Sequence, residues 1–112
     1  MANVILSPEA EKDLLRIGGY IARQSGRPKT ALNTIRKIKT RIDELKDFPL
    51  IGTPLYAVVA VDTDYRFLGC GNYLAFYRYE NGTVFIDRML HVRQDYISIL
   101  LGDVLEEFDD DF

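Results

Sequence analysis

The hydrophobic positions of this chain change period near Pro54, and the change separates a helical half from a β half. Ahead of it, Asn3-Val4-Ile5-Leu6 is short and β-prone and predicts an opening strand. Ser7-Pro8 follows as an N-cap with proline at the first helical position, where a fixed φ helps and the missing N–H costs nothing. Ala10, Leu14, Ile17 and Ile21 then recur at 4, 3 and 4 residues, which predicts a helix over 8–24 ended by Ser25-Gly26. Glu9 and Glu11 suit the positive end of its dipole. Gly18-Gly19 inside it is unfavourable by ~1 kcal/mol per residue, which predicts a close helix contact there. After Arg27-Pro28, a second stripe of Leu32, Ile35, Ile38, Ile42 and Leu45 recurs at 3, 3, 4 and 3 residues. Two prolines and a glycine in Phe48-Pro49-Leu50-Ile51-Gly52-Thr53-Pro54 stop it. Two helices joined by a few residues read as an antiparallel hairpin.

Beyond Pro54 the strand candidates are Leu55–Val61, Tyr65–Cys70, Tyr73–Glu80 and Thr83–His91, with a closing helical turn from Arg93 to about Leu101. The expected class is α+β: an N-terminal strand, then a helix hairpin packed on one face of an antiparallel sheet. Asn81-Gly82 is a strong hairpin signal, and a two-residue loop there pairs Tyr77 with Ile86, Phe76 with Asp87, Ala75 with Arg88 and Leu74 with Met89. In that register one face carries Tyr73, Ala75, Tyr77, Tyr79, Val84, Ile86, Arg88 and Leu90. The other carries Leu74, Phe76, Phe85 and Met89, with Arg78 and Asp87 as a surface ion pair worth ~0–1 kcal/mol. Two helices cover one of these apolar faces. The second is left to the segment after Tyr96, to another copy in a homodimer, or to a separate partner chain, which makes Leu74, Phe76, Phe85 and Met89 candidate partner-binding residues.

Composition narrows the class. A chain of 112 residues supports one domain, read as residues 1–101, followed by an acidic tail over 102–112. No apolar run approaches the ~20 residues of a membrane span, and the first residues form no signal peptide. With Cys70 and His91 as the lone cysteine and histidine, an intrachain disulfide and a Cys/His zinc site are excluded, a cytoplasmic location is expected, and no metal or cofactor is implied. The net charge of −3 conceals an asymmetry: the tail holds −6, leaving +3 on residues 1–101. Net acidity therefore does not exclude an anionic partner for the body, although it argues against a strongly basic nucleic-acid binder. Asp103 to Phe112 could lie on that basic body as an internal mimic of an acidic partner, or serve only as a solubility tail.

The chemistry-bearing stretch runs from Asn72 to Tyr96. Tyr65-Arg66, Phe76-Tyr77-Arg78 and above all Arg88-x-Leu90-His91-x-Arg93-x-Asp95 resemble the RelE/ParE superfamily of bacterial toxins from type II toxin–antitoxin modules. Ser7-Pro8-Glu9-Ala10-x-x-Asp13-Leu14 and Phe48-Pro49-x-x-Gly52 resemble that family's first helix and the end of its second. The similarity spans about Ile5 to Leu100. It implies a cognate antitoxin that wraps the toxin, with operator DNA reached only through that antitoxin. It also implies one of two targets, the ribosome with its mRNA for RelE-like toxins or DNA gyrase for ParE-like ones.

Cleavage of mRNA through the ribose 2′-OH needs a proton acceptor, cations for the phosphorane and an acid for the leaving oxygen. The candidate catalytic residues for that reading are His91, the residue type suited to proton transfer near neutrality, with Arg93, Arg88 and Arg66 for charge and Tyr96 as the acid. The bland reading makes His91 a packed, hydrogen-bonded residue and Arg88 part of a cation–π or hydrogen-bonded scaffold. The RelE-like pattern has an arginine after the strand tyrosine where Leu74 follows Tyr73, and a lysine-rich second strand where Phe67-Leu68-Gly69 follows Arg66. The resemblance is thus nearer to ParE-like toxins, which carry no established nuclease chemistry. A third reading is an inactive relic kept as an antitoxin-binding, autoregulatory partner.

Overall fold

The computed structural model describes the backbone of residues 1–109 and the side chains of residues 1–102. Strand β1 (Asn3–Leu6) leads into helices α1 (Pro8–Ser25) and α2 (Pro28–Asp43), and α2 tightens into a 3-10 turn over Glu44–Lys46. The Ser7 hydroxyl accepts the Ala10 N–H at 3.0 Å, so the serine caps α1 as its position before Pro8 predicts. A two-residue strand β2 (Thr53–Pro54), a 3-10 turn over Leu55–Ala57, strands β3 (Arg66–Cys70), β4 (Tyr73–Glu80) and β5 (Thr83–His91), and helix α3 (Tyr96–Asp109) complete the chain.

The strands form one sheet in the order β1-β5-β4-β3-β2. All neighbours are antiparallel except β1 and β5, which run parallel, so the sheet is mixed rather than purely antiparallel. Parallel neighbours need a long crossover, and the α1–α2 hairpin with the strands after it supplies one. The region Leu55–Val61 is not a strand. Leu55 makes the last ladder bond, donating its N–H to the Tyr65 carbonyl at 2.9 Å, and the chain then coils into the 3-10 turn, in which the Val58 and Val59 N–H groups both reach the Leu55 carbonyl at 3.1 Å. The closing helix begins at Tyr96, three residues later than the sequence pattern suggests.

Asn81 (φ 49°) and Gly82 (φ 80°) both adopt the left-handed backbone that a tight two-residue hairpin demands. The expected register holds from Glu80↔Thr83 to Tyr77↔Ile86 and then slips by one residue, with Phe76 opposite Arg88, Ala75 opposite Met89 and Leu74 opposite Leu90. Asp87 is the extra residue of a β-bulge. Bulges escape a register argument because the turn fixes pairing only as far as the first irregularity. The consequence is a change of face. Met89 joins the helix-side core, whereas Leu90 joins the opposite one.

Each face of the sheet carries its own core. On the helix side, Ala10, Leu14 and Ile17 of α1 and Ile38, Ile42 and Leu45 pack on Tyr73, Ala75, Tyr77, Val84, Ile86 and Met89. Leu32 falls outside this contact and is 55% exposed. Gly18 faces α2, where a Cβ would meet Ile35 at 3.8 Å, an ordinary contact rather than an unusually close one. On the other side, Phe76 and Leu90 lie under Leu55 and Leu101, flanked by Val59, Val61, Tyr65, Phe67, Leu74, Tyr96, Ile97 and Leu100. Within this chain, then, the second face is covered by the segment 55–65 and the first turns of α3. The tail residues proposed to lie on the basic body fall outside the described side chains.

Candidate functional site

The residues singled out from sequence separate into three environments. Arg88 belongs to α1. Its Nε and a terminal nitrogen donate to the two carboxylate oxygens of Asp13 at 2.7 and 2.9 Å, and the Met89 N–H donates to the same carboxylate at 2.9 Å. The cause is topological. β1 stops at Leu6, so β5 beyond Ile86 has lost its edge neighbour. Ser7 closes the junction, donating its N–H to the Ile86 carbonyl at 2.9 Å and its hydroxyl to the Asp87 carbonyl at 2.8 Å. Asp13 then takes over as acceptor where the strand is missing. The hydrogen bond to Asp13 outweighs partial burial and raises the Arg88 pKa. Arg88 is therefore an ion-paired scaffold residue and does not stack on a tyrosine.

Arg66 holds a turn. It donates to the Gly52 carbonyl at 2.9 Å, while Tyr77 donates its hydroxyl to the Pro49 carbonyl at 2.8 Å and accepts the Gly52 N–H at 2.9 Å. A Cβ on Gly52 would lie 2.5 Å from the Tyr77 hydroxyl and 2.9 Å from the Phe67 carbonyl, so this close approach requires glycine. Burial raises the Tyr77 pKa, which keeps the phenol protonated and able to donate. The spacing Phe48-Pro49-x-x-Gly52 thus encodes the docking of one turn onto Tyr77 and Arg66.

Tyr96 lies on the opposite face, its ring centroid 5.2 Å from that of Phe76. Nearby, the bulge residue Asp87 accepts from Arg78 Nε at 2.8 Å and from the Tyr65 hydroxyl at 3.0 Å. Arg78 also lies over the Phe85 ring, 5.6 Å from its centroid. The hydrogen bond to Asp87 raises the Arg78 pKa, and burial with the Asp87 charge pushes Tyr65 up to about 12. Arg78–Asp87 is accordingly a half-buried network with a tyrosine, more than a surface pair. Of the proposed partner-binding residues, Met89 is inside the helix-side core and Phe76 is fully buried by the chain itself, whereas Leu74 and Phe85 are half-buried.

Of the candidate catalytic residues, His91 and Arg93 line one cleft together. Its volume is about 470 Å³, and Asp13, Arg16, Ile17, Tyr20, Tyr73, Met89 and Gln94 complete its lining. The His91 Nδ1 accepts the Arg93 backbone N–H at 3.0 Å, so the neutral ring carries its proton on Nε2. Its ring stands edge-on to Tyr73 with centroids 5.3 Å apart, and the Gln94 side chain accepts the His91 N–H at 2.8 Å. Burial raises the Tyr73 pKa. Cys70 lies outside the cleft, and burial pushes its thiol up to about 11, which suppresses the nucleophilic thiolate. Among the described residues no group of three His, Cys, Asp or Glu side chains is placed to hold a metal ion.

Sequence reasoning missed Asp13, Tyr77, Arg16 and Tyr20 as parts of this arrangement. For Asp13 a signal existed. It falls three residues after Ala10 and four before Ile17, on the apolar stripe, where an acid requires a partner.

Comparison with known proteins agrees with this architecture. Residues 4–96 match the family model described as the ParE toxin of the type II toxin–antitoxin system parDE. The chain belongs to the ParE toxin family. A solved structure titled as the chromosomal ParDE toxin–antitoxin system from P. aeruginosa shares the fold with a TM-score of 0.69. Sequence identity is 20%, over 81% of this chain and 96% of that one. A search of curated protein sequences gives no significant match. No helix among the described residues is long and apolar enough to cross a membrane.

Proposed function

We propose that this ParE-family chain arrests bacterial growth by inhibiting DNA gyrase and is held inactive by a cognate antitoxin. The family assignment supports a toxin of this kind. The choice of target rests chiefly on one observation, the dispersal of the five residues a ribonuclease would need. Arg66 is bound to the Gly52 turn, Arg88 to Asp13 and Tyr96 to the far face of the sheet, so none of the three meets His91. A phosphorane next to His91 would have Arg93, and no acid drawn from the predicted set.

The decisive experiment is induction without antitoxin, followed by measurement of which process stops first. DNA synthesis should halt before translation, and purified protein should inhibit gyrase supercoiling with trapping of cleavage complexes. Intact supercoiling, with no trapped complexes, would overturn the reading. A ribosome-dependent mRNA endonuclease remains the second reading, favoured by the shared cleft of His91 and Arg93. It requires ribosome-stimulated cleavage that disappears in the His91→Ala, Arg93→Ala double variant. Absence of growth arrest on induction would instead point to an inactive antitoxin-binding partner.

A further inference from the structure

We infer that the turn over residues 48–52 is the surface by which this chain docks on its target, with Phe48, Leu50 and Ile51 entering an apolar pocket of DNA gyrase. The inference deepens the gyrase reading and rests on it. The construction of the turn is the first support. The Phe48 N–H donates to the Glu44 carbonyl at 2.9 Å, and the Ile51 N–H donates to the Phe48 carbonyl at 3.1 Å. Tyr77, fully buried, donates to the Pro49 carbonyl and accepts the Gly52 N–H, while Arg66 donates to the Gly52 carbonyl. Backbone groups are thus turned inward and matched, and Pro49 adds a fixed φ. The side chains go the other way. Phe48, Leu50 and Ile51 are 63%, 57% and 46% exposed, and none of them belongs to either core. The fold therefore holds rigid a set of large apolar side chains for which its own packing has no use, which is how a binding anchor is pre-organised.

Composition is the second support. Residues 48–61 carry no charge in a chain that is 28% charged, and depletion of charge marks the centre of a protein interface. Tyr56 and Val58, also exposed, follow the turn, so residues 48–58 hold five exposed large apolar side chains. No separate stretch of that length among the described residues holds more than two. Shape then selects the partner. None of the three turn side chains lines one of the larger clefts, so they protrude and need a concave surface opposite them. A second copy related by a two-fold axis would set one protrusion against another, over roughly 300 Å² a side where a standard interface has about 800 Å². An antitoxin that wraps the toxin needs a groove, and the apolar groove of about 980 Å³ lies elsewhere, between β1, α1 and α2. A large folded enzyme supplies the pocket that neither of these does.

The test compares the full-length wild type with Phe48→Ala, Leu50→Ala and the double variant, for binding to purified gyrase and for inhibition of its supercoiling. Each single change should weaken binding about tenfold and the pair about a hundredfold, with a matching rise in the concentration that halves supercoiling. Both side chains are exposed and lie outside the cores, so melting temperatures should stay within about 3 °C of the wild type. Leu15→Ala, which removes an equally exposed leucine from α1, should bind as the wild type does. If the wild type inhibits gyrase and the double variant inhibits it equally, this inference alone falls. Equal weakening in Leu15→Ala overturns it too, because general apolar adhesion would then explain the loss. Variants that bind gyrase normally but escape the cognate antitoxin that neutralises the wild type on co-expression, or that turn a dimer into a monomer in sedimentation, assign the turn to those partners and overturn it. A wild type that neither binds nor inhibits gyrase overturns the target reading and this inference together.

Discussion

Arg88 and Arg93 stand five residues apart at the end of β5, yet they belong to different regions of the molecule. Arg88 reaches across to a carboxylate that is 2% exposed and makes two hydrogen bonds with it. Arg93 projects from the turn after β5, and only its backbone N–H is engaged, by His91. The difference arises from where β1 ends. Past Ile86 the edge of β5 is open, and α1 fills it with Asp13, which fixes Arg88 as the counterion of a buried acid. One turn later the chain has left the sheet, and the same residue type is exposed beside the cleft. Identical side chains in one short motif therefore separate into scaffold and surface according to what the edge of the sheet lacks.

The strongest way to break this comparison is at Asp13. Asp13→Ala should destabilise the fold by about 3–5 kcal/mol, because it strands the Arg88 charge and the Met89 N–H in a half-buried setting. Chemical denaturation measures it, and a loss below about 1 kcal/mol would show that the pair is no more than a surface bridge. The double variant Asp13→Leu, Arg88→Met should recover much of the loss, since a buried pair replaced by apolar side chains is often neutral. Next in size is Gly52→Ala, which should cost about 1–3 kcal/mol by forcing a methyl into Tyr77 and the Phe67 carbonyl. Tyr77→Phe should cost about as much, by leaving the buried Gly52 N–H and the Pro49 carbonyl without their partner. If both variants melt like the wild type, Arg66 and Tyr77 do not fix that turn.

How far these environments could be read from sequence depends on the range of the forces involved. The two helices, the Ser7 cap and the Asn81-Gly82 turn follow from local patterns, and their boundaries agree with the structure to within a residue or two. The parallel seat of β1 and the bulge at Asp87 are long-range facts. Nothing in a two-residue turn tells where a neighbouring strand will stop. One slipped residue then moved Met89 and Leu90 to opposite faces, and with Met89 went part of the predicted partner surface. His91 and Arg93, two residues apart, stayed together as a local motif should. Arg66, Arg88 and Tyr96 were grouped by chemical type, and the fold disperses them because each meets a partner more than ten residues away, Gly52, Asp13 and Phe76.

A smaller effect distinguishes the acid that β5 itself carries. Asp87, unlike Asp13, shares its carboxylate with a phenol, and the Tyr65 pKa is pushed from its ordinary 10 up to about 12 by burial and by that carboxylate. A pKa raised in the folded state favours the protonated form, so the contribution is complete below pH 10 and is lost as pH rises from 10 to 12. Stability followed across that window should fall less steeply in Tyr65→Phe than in the wild type. Parallel slopes would mean that Tyr65 titrates alike in the folded and unfolded chain, leaving Arg78 as the only partner of Asp87 that matters.

The smallest expected change in stability is the most informative about the comparison. Arg93→Ala keeps the backbone N–H that orients His91 and removes only an exposed guanidinium, so its stability should stay within about 0.5 kcal/mol of the wild type. Arg88→Ala, five residues earlier, should unfold the protein far more readily, because the buried Asp13 then loses its two-bond partner and keeps only the exposed Arg16 at 3.3 Å. If the two variants lose similar stability, Arg93 has a structural partner and the region after β5 is scaffold throughout. If Arg93→Ala leaves stability intact, any loss of toxicity it causes must come from contact with another molecule. Among the described residues no ion pair depends on that charge, so its effect would be felt at the surface where the cleft opens.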